Sequence, residues 1–174
     1  FARRSGRYAS RYRYCEVFLN GKYIGIYILM EKIKRDVNRV DIAKLKLQDT
    51  TGNDLTGGYI VKIDKTTGNG SGGWTDTFPT YPGSPYRILY QYDYPEQADM
   101  MPQQSAYIKN YIYLFENALA GSQFTDPVNG YRKYADVNSF IDYSIMNEIS
   151  KNVDGYRLST YMYKDKDSKG GKLV

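Results

Sequence analysis

The sequence predicts an α+β fold with a β-rich first half and a helical second half, arranged as two lobes. Up to about residue 94, short runs of β-branched and aromatic residues alternate with polar residues, whereas apolar residues recur at helical spacing in the second half. An Asn20-Gly21 dipeptide between two such runs adds a hairpin signal. With 174 residues, 41% of them hydrophobic, the chain is long enough to fold around a packed core.

The first predicted element is this hairpin. Two β-rich runs, Arg13 to Leu19 and Tyr23 to Ile33, meet at Asn20-Gly21, which favours a two-residue type I′ turn. The turn predicts the pairs Leu19–Lys22, Val17–Ile24, Glu16–Gly25 and Cys15–Ile26. Alternation then gives one face that is expected to join the core, made of Cys15, Val17, Ile24, Ile26, Ile28 and Met30. The other face is aromatic and carries two carboxylates: Tyr14, Glu16, Phe18, Tyr23, Gly25, Tyr27 and Glu31.

Three further predictions complete the first half. The charged segment 31–49 fits both a helix and an irregular crossing. Gly57-Gly58 opens a short strand from Tyr59 to Asp64, in which Tyr59, Val61 and Ile63 alternate with Ile60, Lys62 and Asp64. Glycine, threonine, serine and proline from residue 66 to 85 indicate an exposed loop, and a strand resumes from Tyr86 to Tyr92.

The second half predicts two helices and two strands. The first helix covers residues 100–121, with Pro102 in its first turn and Gly121 as its end. The second runs from about Asn138 to Ser150, with Asp136 or Asn138 as its cap. Its apolar face is expected to comprise Phe140, Ile141, Ser144, Ile145 and Ile149. Residues 157–164 and 172–174 then read as strands joined by a polar turn.

Composition excludes several classes of site. There is no histidine and a single cysteine, Cys15, so the common zinc sites, histidine-dependent relays and an internal disulfide framework are all ruled out. Chemistry would therefore depend on carboxylates, lysines, hydroxyls and a cation held by oxygen ligands. The net charge of +5 is concentrated at the start, and it is weak evidence for nucleic acid. The basic residues there are Arg3, Arg4, Arg7, Arg11 and Arg13.

The sequence contains no run of about 18 apolar residues, and it therefore predicts no membrane-spanning helix. The sequence starts at Phe1 and not at a methionine, and we expect it to be a piece of a longer protein.

Two loop motifs favour ordinary turns over ligand sites. Gly68-x-Gly70-x-x-Gly73 matches the phosphate-binding GxGxxG pattern, but the residues after it continue as loop, and a surface connection is the favoured interpretation. The segment DTTGND from Asp49 to Asp54 resembles the start of a calcium loop, yet it lacks the later glutamate. A polar turn is the favoured interpretation there.

The stretch NEISKNVDGYR, residues 147–157, places Asp154 between the second helix and an aromatic strand. Two interpretations stay open from spacing alone. Asn152 and Asp154 could satisfy backbone groups at a helix end and turn. Alternatively, Asp154 is functional, because the negative end of a helix macrodipole disfavours a purely stabilising carboxylate there.

Three segments carry a resemblance to a known family: FLNGKYIGIYILMEKI, GGYIVKID and SFIDYSIMNEISKNVDGYRLSTYMYKD. In this order, over nearly all of the chain, they resemble the spore-coat CotH family of atypical, secreted or surface-associated protein kinases. The resemblance implies a reduced, kinase-like two-lobed fold that binds ATP with Mg²⁺ or Mn²⁺ and phosphorylates serine on protein substrates. Residues 1–174 would form one partial domain, with residues 1–94 as the N-lobe part and 95–174 as the C-lobe part.

The same resemblance implies residue roles. Asp154, in the segment that matches the family's N-x-D motif, would receive the proton of the substrate hydroxyl. Lys62 would hold nucleotide phosphates, with Glu31 or Glu16 as its carboxylate partner, although all three could equally be solvated strand residues. Ser159 stands five residues after Asp154, where ordinary kinases have a metal-binding asparagine, and serine is a poorer ligand.

Another departure concerns the metal. The family's metal-binding aspartate lies in a W-D-x-D segment that follows a strand like KLV, and the sequence ends at Val174. We therefore expect this chain to bind Mg²⁺-ATP weakly, and its metal ligands are not assigned.

A second function is also compatible with the residues. Twenty tyrosines, in part exposed, could stack on sugars or hold a protein, which describes a non-catalytic surface or adhesion module. Alanine substitution of Tyr23 or Tyr27 would test this function, because it should abolish binding to a glycan array. For either function we expect protein or carbohydrate partners, no nucleic acid, and, from the family alone, an extracytoplasmic location.

Overall fold

The structure is a computed structural model that describes residues 2–67 and 72–174. Over these residues the chain is mixed α+β, with two sheets and three α-helices. The strands are β1 Tyr12–Leu19, β2 Lys22–Met30, β3 Tyr59–Ile63, β4 Gly73–Pro79, β5 Arg87–Tyr94 and β6 Thr160–Lys164. The helices are α1 Gly52–Leu55, α2 Pro102–Ala120 and α3 Val137–Ser150.

The larger sheet is antiparallel and has the strand order β4-β5-β3-β6. Strand β6 comes from the second half of the sequence, and it pairs with β3 from the first half, with Ile63 opposite Thr160 and Tyr59 opposite Lys164. The sheet therefore joins the two halves. A division into lobes at residue 94 is not visible in this topology and stays a prediction.

Each face of β3 belongs to a different apolar cluster, as the predicted alternation requires. Tyr59 and Val61 pack on the main core, which includes Ile108 and Ile112 of α2. Ile60 points the other way, into a smaller cluster with Val40, Ile42, Tyr161 and Tyr163. Since both faces are covered, β3 is the buried centre of the molecule, and its residue Lys62 is buried with it.

The hairpin turn is confirmed. Asn20 and Gly21 have φ values of 51° and 78°, the two positive angles that a type I′ turn needs, and Leu19 lies opposite Lys22. The rest of the predicted register is wrong. A bulge between Val17 and Phe18 shifts the pairing by one residue, so that the observed pairs are Val17–Gly25, Glu16–Ile26 and Cys15–Tyr27.

The predicted core face of the hairpin is also wrong. β1 and β2 form a sheet of their own, and no residue of either strand is fully buried. Ile26 is 67% exposed, and Cys15 is only partly buried. Alternation shows which residues share a face, but it does not show whether another element covers that face. The exposed large side chains are Tyr12, Tyr14, Phe18, Leu19, Tyr23, Ile24, Ile26, Tyr27, Ile28, Leu29 and Met30.

Strand β4 corrects the prediction of a loop from residue 66 to 85. Trp74 and Asp76 are buried and alternate with exposed neighbours, a strand signal that the high glycine and proline content obscured. Gly73 begins this strand, and a Cβ there would lie 2.2 Å from the Tyr90 carbonyl oxygen, so glycine is needed for the strands to approach. Gly68 and Gly70 of the GxGxxG motif lie outside the described residues.

Both long helices are confirmed, but only Phe140 of the predicted apolar face of α3 packs against the core. α2 starts at Pro102 and ends before Gly121. The cap of α3 is Asp136, whose carboxylate accepts the backbone N–H groups of Asn138 and Ser139. The side of α3 that faces the sheet is more polar than predicted, with Ser139 and Asn147 buried. The isoleucines expected there, Ile141, Ile145 and Ile149, are exposed.

The DTTGND segment is a polar turn, as favoured. Asp49 accepts the backbone N–H of Lys46, and Asp54, in α1, forms an ion pair with Lys166. The charged segment before it is an irregular crossing with a single bridge between Arg35 and Val40. None of the described helices is long and apolar enough to cross a lipid bilayer.

Candidate functional site

Lys62 forms a buried ion pair with Asp93. Its Nζ lies 3.1 Å from Asp93 Oδ1, and the two side chains are 8% and 11% exposed. A lysine removed from water needs such a partner, since an unpaired buried charge is strongly destabilising. The pair places one cation and one carboxylate on β3 and β5, the two central strands of the sheet.

The structure corrects the partner expected for Lys62. Glu31 binds Arg11 instead, accepting its backbone N–H at 3.0 Å and its Nε–H at 2.7 Å. These hydrogen bonds lower the pKa of Glu31 to about 2. Glu16 is exposed on the hairpin. The predicted partner was a carboxylate of the hairpin, whereas Asp93 belongs to β5, and only the strand order brings it beside Lys62.

Asp154 lies in the turn that leaves α3. The helix ends at Lys151, which adopts the left-handed conformation with φ 52°, and the Asp154 carbonyl then accepts the backbone N–H groups of Arg157 and Leu158. The side chain is 50% exposed, and its Oδ1 lies 2.6 Å from Nη2 of Arg157, itself 72% exposed. Exposed ion pairs contribute about 0–1 kcal/mol. The carboxylate is therefore accessible, and Arg157 holds it only weakly.

The pairing of β3 with β6 brings Lys62 and the Asp154 turn to the same end of the sheet. Tyr161 lies opposite Lys62, and Thr160 lies opposite Ile63. The Thr160 hydroxyl in turn donates to the Gly155 carbonyl at 2.9 Å. Lys62 and Asp154 are 92 positions apart in the sequence, so only the tertiary fold connects them.

A cavity of about 380 Å³ adjoins this end of the sheet. Its walls are residues 2–10, the inner side of α3 and β6, and Ser159 lies at its margin with φ 52°. Arg7 ties the first wall to the helix, with Nε 2.8 Å from Asp142 and Nη1 3.3 Å from Asp136. The walls are mainly apolar with few polar groups, as in most small-molecule sites. Lining apolar residues include Ile33, Ile60, Met146, Tyr161, Met162 and Tyr163.

A second cavity, of about 730 Å³, lies beside Asp93 and carries charges of both signs. Four lysines line it, all from the charged segment 31–49, whose pattern fits both a helix and an irregular crossing. In the sequence, the only local sign of this lysine cluster is the K-x-K pattern that occurs in both EKIKR and AKLKL. The lysines are Lys32, Lys34, Lys44 and Lys46, and the facing acidic residues are Asp93, Glu96 and Asp99.

Lys164 is a buried cation that the sequence reasoning missed. It is fully buried, and its Nζ donates to the Thr56 carbonyl at 2.6 Å and to Asp167 Oδ1 at 2.8 Å. The same Nζ lies 4.5 Å from the centre of the Tyr111 ring. Burial lowers the pKa of Lys164. Since its donors are used within the fold, it acts as a structural tie between β6 and the loop after α1.

The described residues offer few ligands for a cation. No three carboxylates or cysteines among them gather closely enough to hold a metal ion. Magnesium in kinase-type sites takes only one or two protein carboxylates and completes its shell with phosphate oxygens and water. Asp64 directly follows β3 at this end of the sheet, and its carboxylate accepts the backbone N–H of Lys65, whereas Asp93 and Asp154 are each paired with a cation. The cation that a phosphate group would meet here is Lys62, which is 8% exposed and already paired with Asp93.

Comparison with known proteins identifies the family. A family model described as CotH kinase protein matches residues 1–172. No curated protein and no solved structure matches the sequence. The match covers nearly the whole chain, and it agrees with the resemblance carried by the three segments named above. The chain belongs to the CotH kinase protein family.

Proposed function

We propose that this chain is a CotH-like protein kinase domain that transfers the γ-phosphoryl group of ATP to serine hydroxyls of a protein substrate. The observation that carries the proposal is the β3–β6 pairing, which sets Lys62 opposite Tyr161 and, through Thr160, connects β3 to the turn that contains Asp154. Phosphoryl transfer depends mainly on positioning and charge stabilisation, and it needs a cation, a base and a rigid support.

Asp154 acts as the base in this proposal. Its carboxylate is half exposed and is held only by Arg157, so a serine hydroxyl can replace the guanidinium as its hydrogen-bond partner. The serine oxygen then bonds to the γ-phosphorus, the bond from that phosphorus to the β–γ bridging oxygen breaks, and the hydroxyl proton passes to Asp154. The products are phosphoserine and ADP.

Lys62 acts as the phosphate-binding cation. Its pairing with a buried carboxylate resembles the lysine–acid pair with which kinases orient the phosphates, although the acid here is Asp93. A bound Mg²⁺ or Mn²⁺ would shield the phosphate charge. Its further ligand would come from the family's W-D-x-D segment.

The direct test is Asp154→Asn in a protein that includes the acidic W-D-x-D segment, assayed with Mg²⁺-ATP and dephosphorylated casein as the probe substrate. We expect the rate of phosphate transfer to fall about 10²–10⁴-fold, as is typical when a general base is lost. ATP affinity and the melting temperature should stay close to those of the unaltered protein, because the lost ion pair is exposed.

Glu148→Gln is the matched control: it neutralises an exposed carboxylate near the end of α3, keeps an oxygen that can accept the Tyr156 hydroxyl, and should leave the transfer rate unchanged. Equal rates for the Asp154→Asn and unaltered proteins would remove Asp154 from the chemistry. Absence of transfer by the unaltered protein, together with absence of ATP binding by calorimetry, would reject the kinase assignment.

Other properties follow from the family and belong to the same proposal. The chain would be one partial kinase domain over residues 1–174, with an N-lobe part over 1–94 and a C-lobe part over 95–174. It would work outside the cytoplasm, as a secreted or surface-associated protein. Its partners would be proteins with accessible serines, and not nucleic acid.

One observation favours a second function, adhesion through the hairpin. Tyr23 and Tyr27 are each about half exposed on β2, among the other uncovered aromatic and aliphatic side chains of that sheet. Such rings bind sugar faces and protein surfaces. On this function, Tyr23→Ala or Tyr27→Ala would lower binding on a glycan array at least tenfold, while Asp154→Ala would not. Binding that is absent, or that is insensitive to both tyrosine substitutions, would reject it.

A further inference from the structure

Asn147 of α3 is the most unusual buried polar residue near the Asp154 turn. It is 6% exposed, and its Nδ2 is buried without a hydrogen-bond partner among the described residues. A buried donor without a partner is destabilising, because it has lost its hydrogen bond to water and gained none in the protein. Leucine has nearly the same shape and would avoid that cost. A residue that is unfavourable for stability and yet touches a functional turn suggests a role in that turn.

The contacts of Asn147 show what the role is. Its Oδ1 accepts the Nδ2–H of Asn152 at 3.1 Å, and its carbonyl accepts the Asn152 backbone N–H at 3.0 Å. Asn152 in turn begins the turn that contains Asp154, since its carbonyl accepts the Gly155 N–H at 3.1 Å. Asn147 thus binds the first residue of the turn through both its side chain and its backbone.

Gly155 shows how closely the turn lies against this side chain. It is buried, and a Cβ at this position would lie 2.0 Å from Asn147 Oδ1 and 2.8 Å from Asn152 Nδ2. The glycine is therefore needed for the turn to rest on the Asn147 amide. The Gly155 carbonyl is fixed from the other side by hydroxyl hydrogen bonds from Tyr143 and Thr160. Asp154 is the residue between these fixed points.

We infer that Asn147 is a positioning residue, which holds the 152–155 turn so that the Asp154 carboxylate faces the site. The inference rests on the proposed kinase function for its catalytic meaning. Asn147 acts on the turn through Asn152 and Gly155, and its side chain also lines the cavity beside α3 and β6. A displacement of about 1 Å in a catalytic group can lower a rate about 10²-fold, which makes such support functionally important.

The test is Asn147→Leu, with two readouts. Amide hydrogen exchange at Asn152 and Gly155 should become at least tenfold faster, because the side-chain support of the turn is lost. In the casein assay, kcat should fall 10- to 100-fold while the KM for ATP changes less than threefold. The melting temperature should change little, since removal of the unpaired buried donor offsets the loss of the acceptor for Asn152 Nδ2. A merely structural asparagine would instead lower the melting temperature and leave kcat alone.

Asn152→Ala supplies the second variant. If Asn147 acts through Asn152, the double variant should have the same kcat as Asn147→Leu alone, whereas independent effects would multiply. Asn117→Leu, on the exposed side of α2, is the matched control and should change neither readout.

The outcomes separate this inference from the proposed function. Unchanged exchange and unchanged kcat in Asn147→Leu would overturn the inference while the kinase assignment stands. Faster exchange with unchanged kcat would also overturn it, because the turn would then need no exact support for catalysis. Absence of transfer by the unaltered protein would reject the proposed function, and with it the catalytic role of Asn147, whatever the exchange rates show.

Discussion

Lys62→Met should lower the free energy of unfolding by about 3–5 kcal/mol, the usual effect of removing one partner from a buried ion pair. Methionine fills nearly the same volume, so the loss comes from Asp93, which would keep its charge in a site that is 11% exposed. Urea denaturation followed by circular dichroism measures this change through the transition midpoint at constant slope. If Lys62 binds phosphate, the variant also loses ATP affinity.

Two variants make the Lys62 result interpretable. Lys62→Met with Asp93→Leu removes both charges and should recover most of the lost stability, because an apolar pair of similar volume can replace a buried ion pair. Lys169→Met is the control, since this lysine is 60% exposed and lies 3.8 Å from its partner Asp165. It should change the stability by less than 1 kcal/mol. A similarly small change for Lys62→Met would mean that the pair is not buried in solution.

Glu116 should make the protein less stable as the pH rises. Its Oε1 accepts the Tyr90 hydroxyl at 2.7 Å, its Oε2 is buried without a hydrogen-bond partner among the described residues, and the Asp76 carboxyl of β4 lies beside it. Burial, followed by the contact with Asp76, raises the pKa of Glu116 from 4.5 to about 8. The folded protein therefore keeps a proton on Glu116 at neutral pH, whereas the unfolded chain does not.

The direction of the pH effect follows from that difference. The stabilisation is complete below pH 4.5, where both states hold the proton, and it is lost as the pH rises to about 8. Because Glu116 is only partly buried, we expect a loss on the order of 2 kcal/mol over this range, below the full value implied by the pKa difference. This loss can be measured from the midpoints of urea unfolding transitions recorded between pH 5 and pH 9.

Glu116→Gln should remove this pH dependence. Glutamine keeps the oxygen that accepts from Tyr90 and carries no charge at any pH, so the variant should be more stable than the unaltered protein above pH 8. Glu96→Gln, an exposed glutamate, is the control and should leave the slope as it was. Parallel stability curves for the Glu116→Gln and unaltered proteins would show that Glu116 is ionised in the folded state.

The candidate site illustrates what could be predicted from residues alone. The segment match singled out Asp154 and Lys62, and their roles stay predictions until the variants are measured. Their environment could not be read from the sequence. Asp93 pairs with Lys62 because β5 lies next to β3, and Asn147 supports the Asp154 turn because α3 presents its polar side inward. Neither contact can be predicted from the residues that surround these positions in the sequence.

The sequence by itself determined the local structure where short-range chemistry decides it. Asn20-Gly21 gave the type I′ turn, Pro102 and Gly121 gave the ends of α2, and Asp136 gave the cap of α3. Each depends on backbone angles or hydrogen bonds within a few residues.

Only the tertiary structure decided which surfaces are covered. The predicted core face of the hairpin and the isoleucine side of α3 are largely exposed although their patterns indicated a core, while β4 formed within a segment whose composition indicated a loop. Burial depends on which element lies opposite, and that is set by the packing of strands and helices distant in sequence. For the same reason, the pairing of β3 with β6 is the feature that assembles the candidate site.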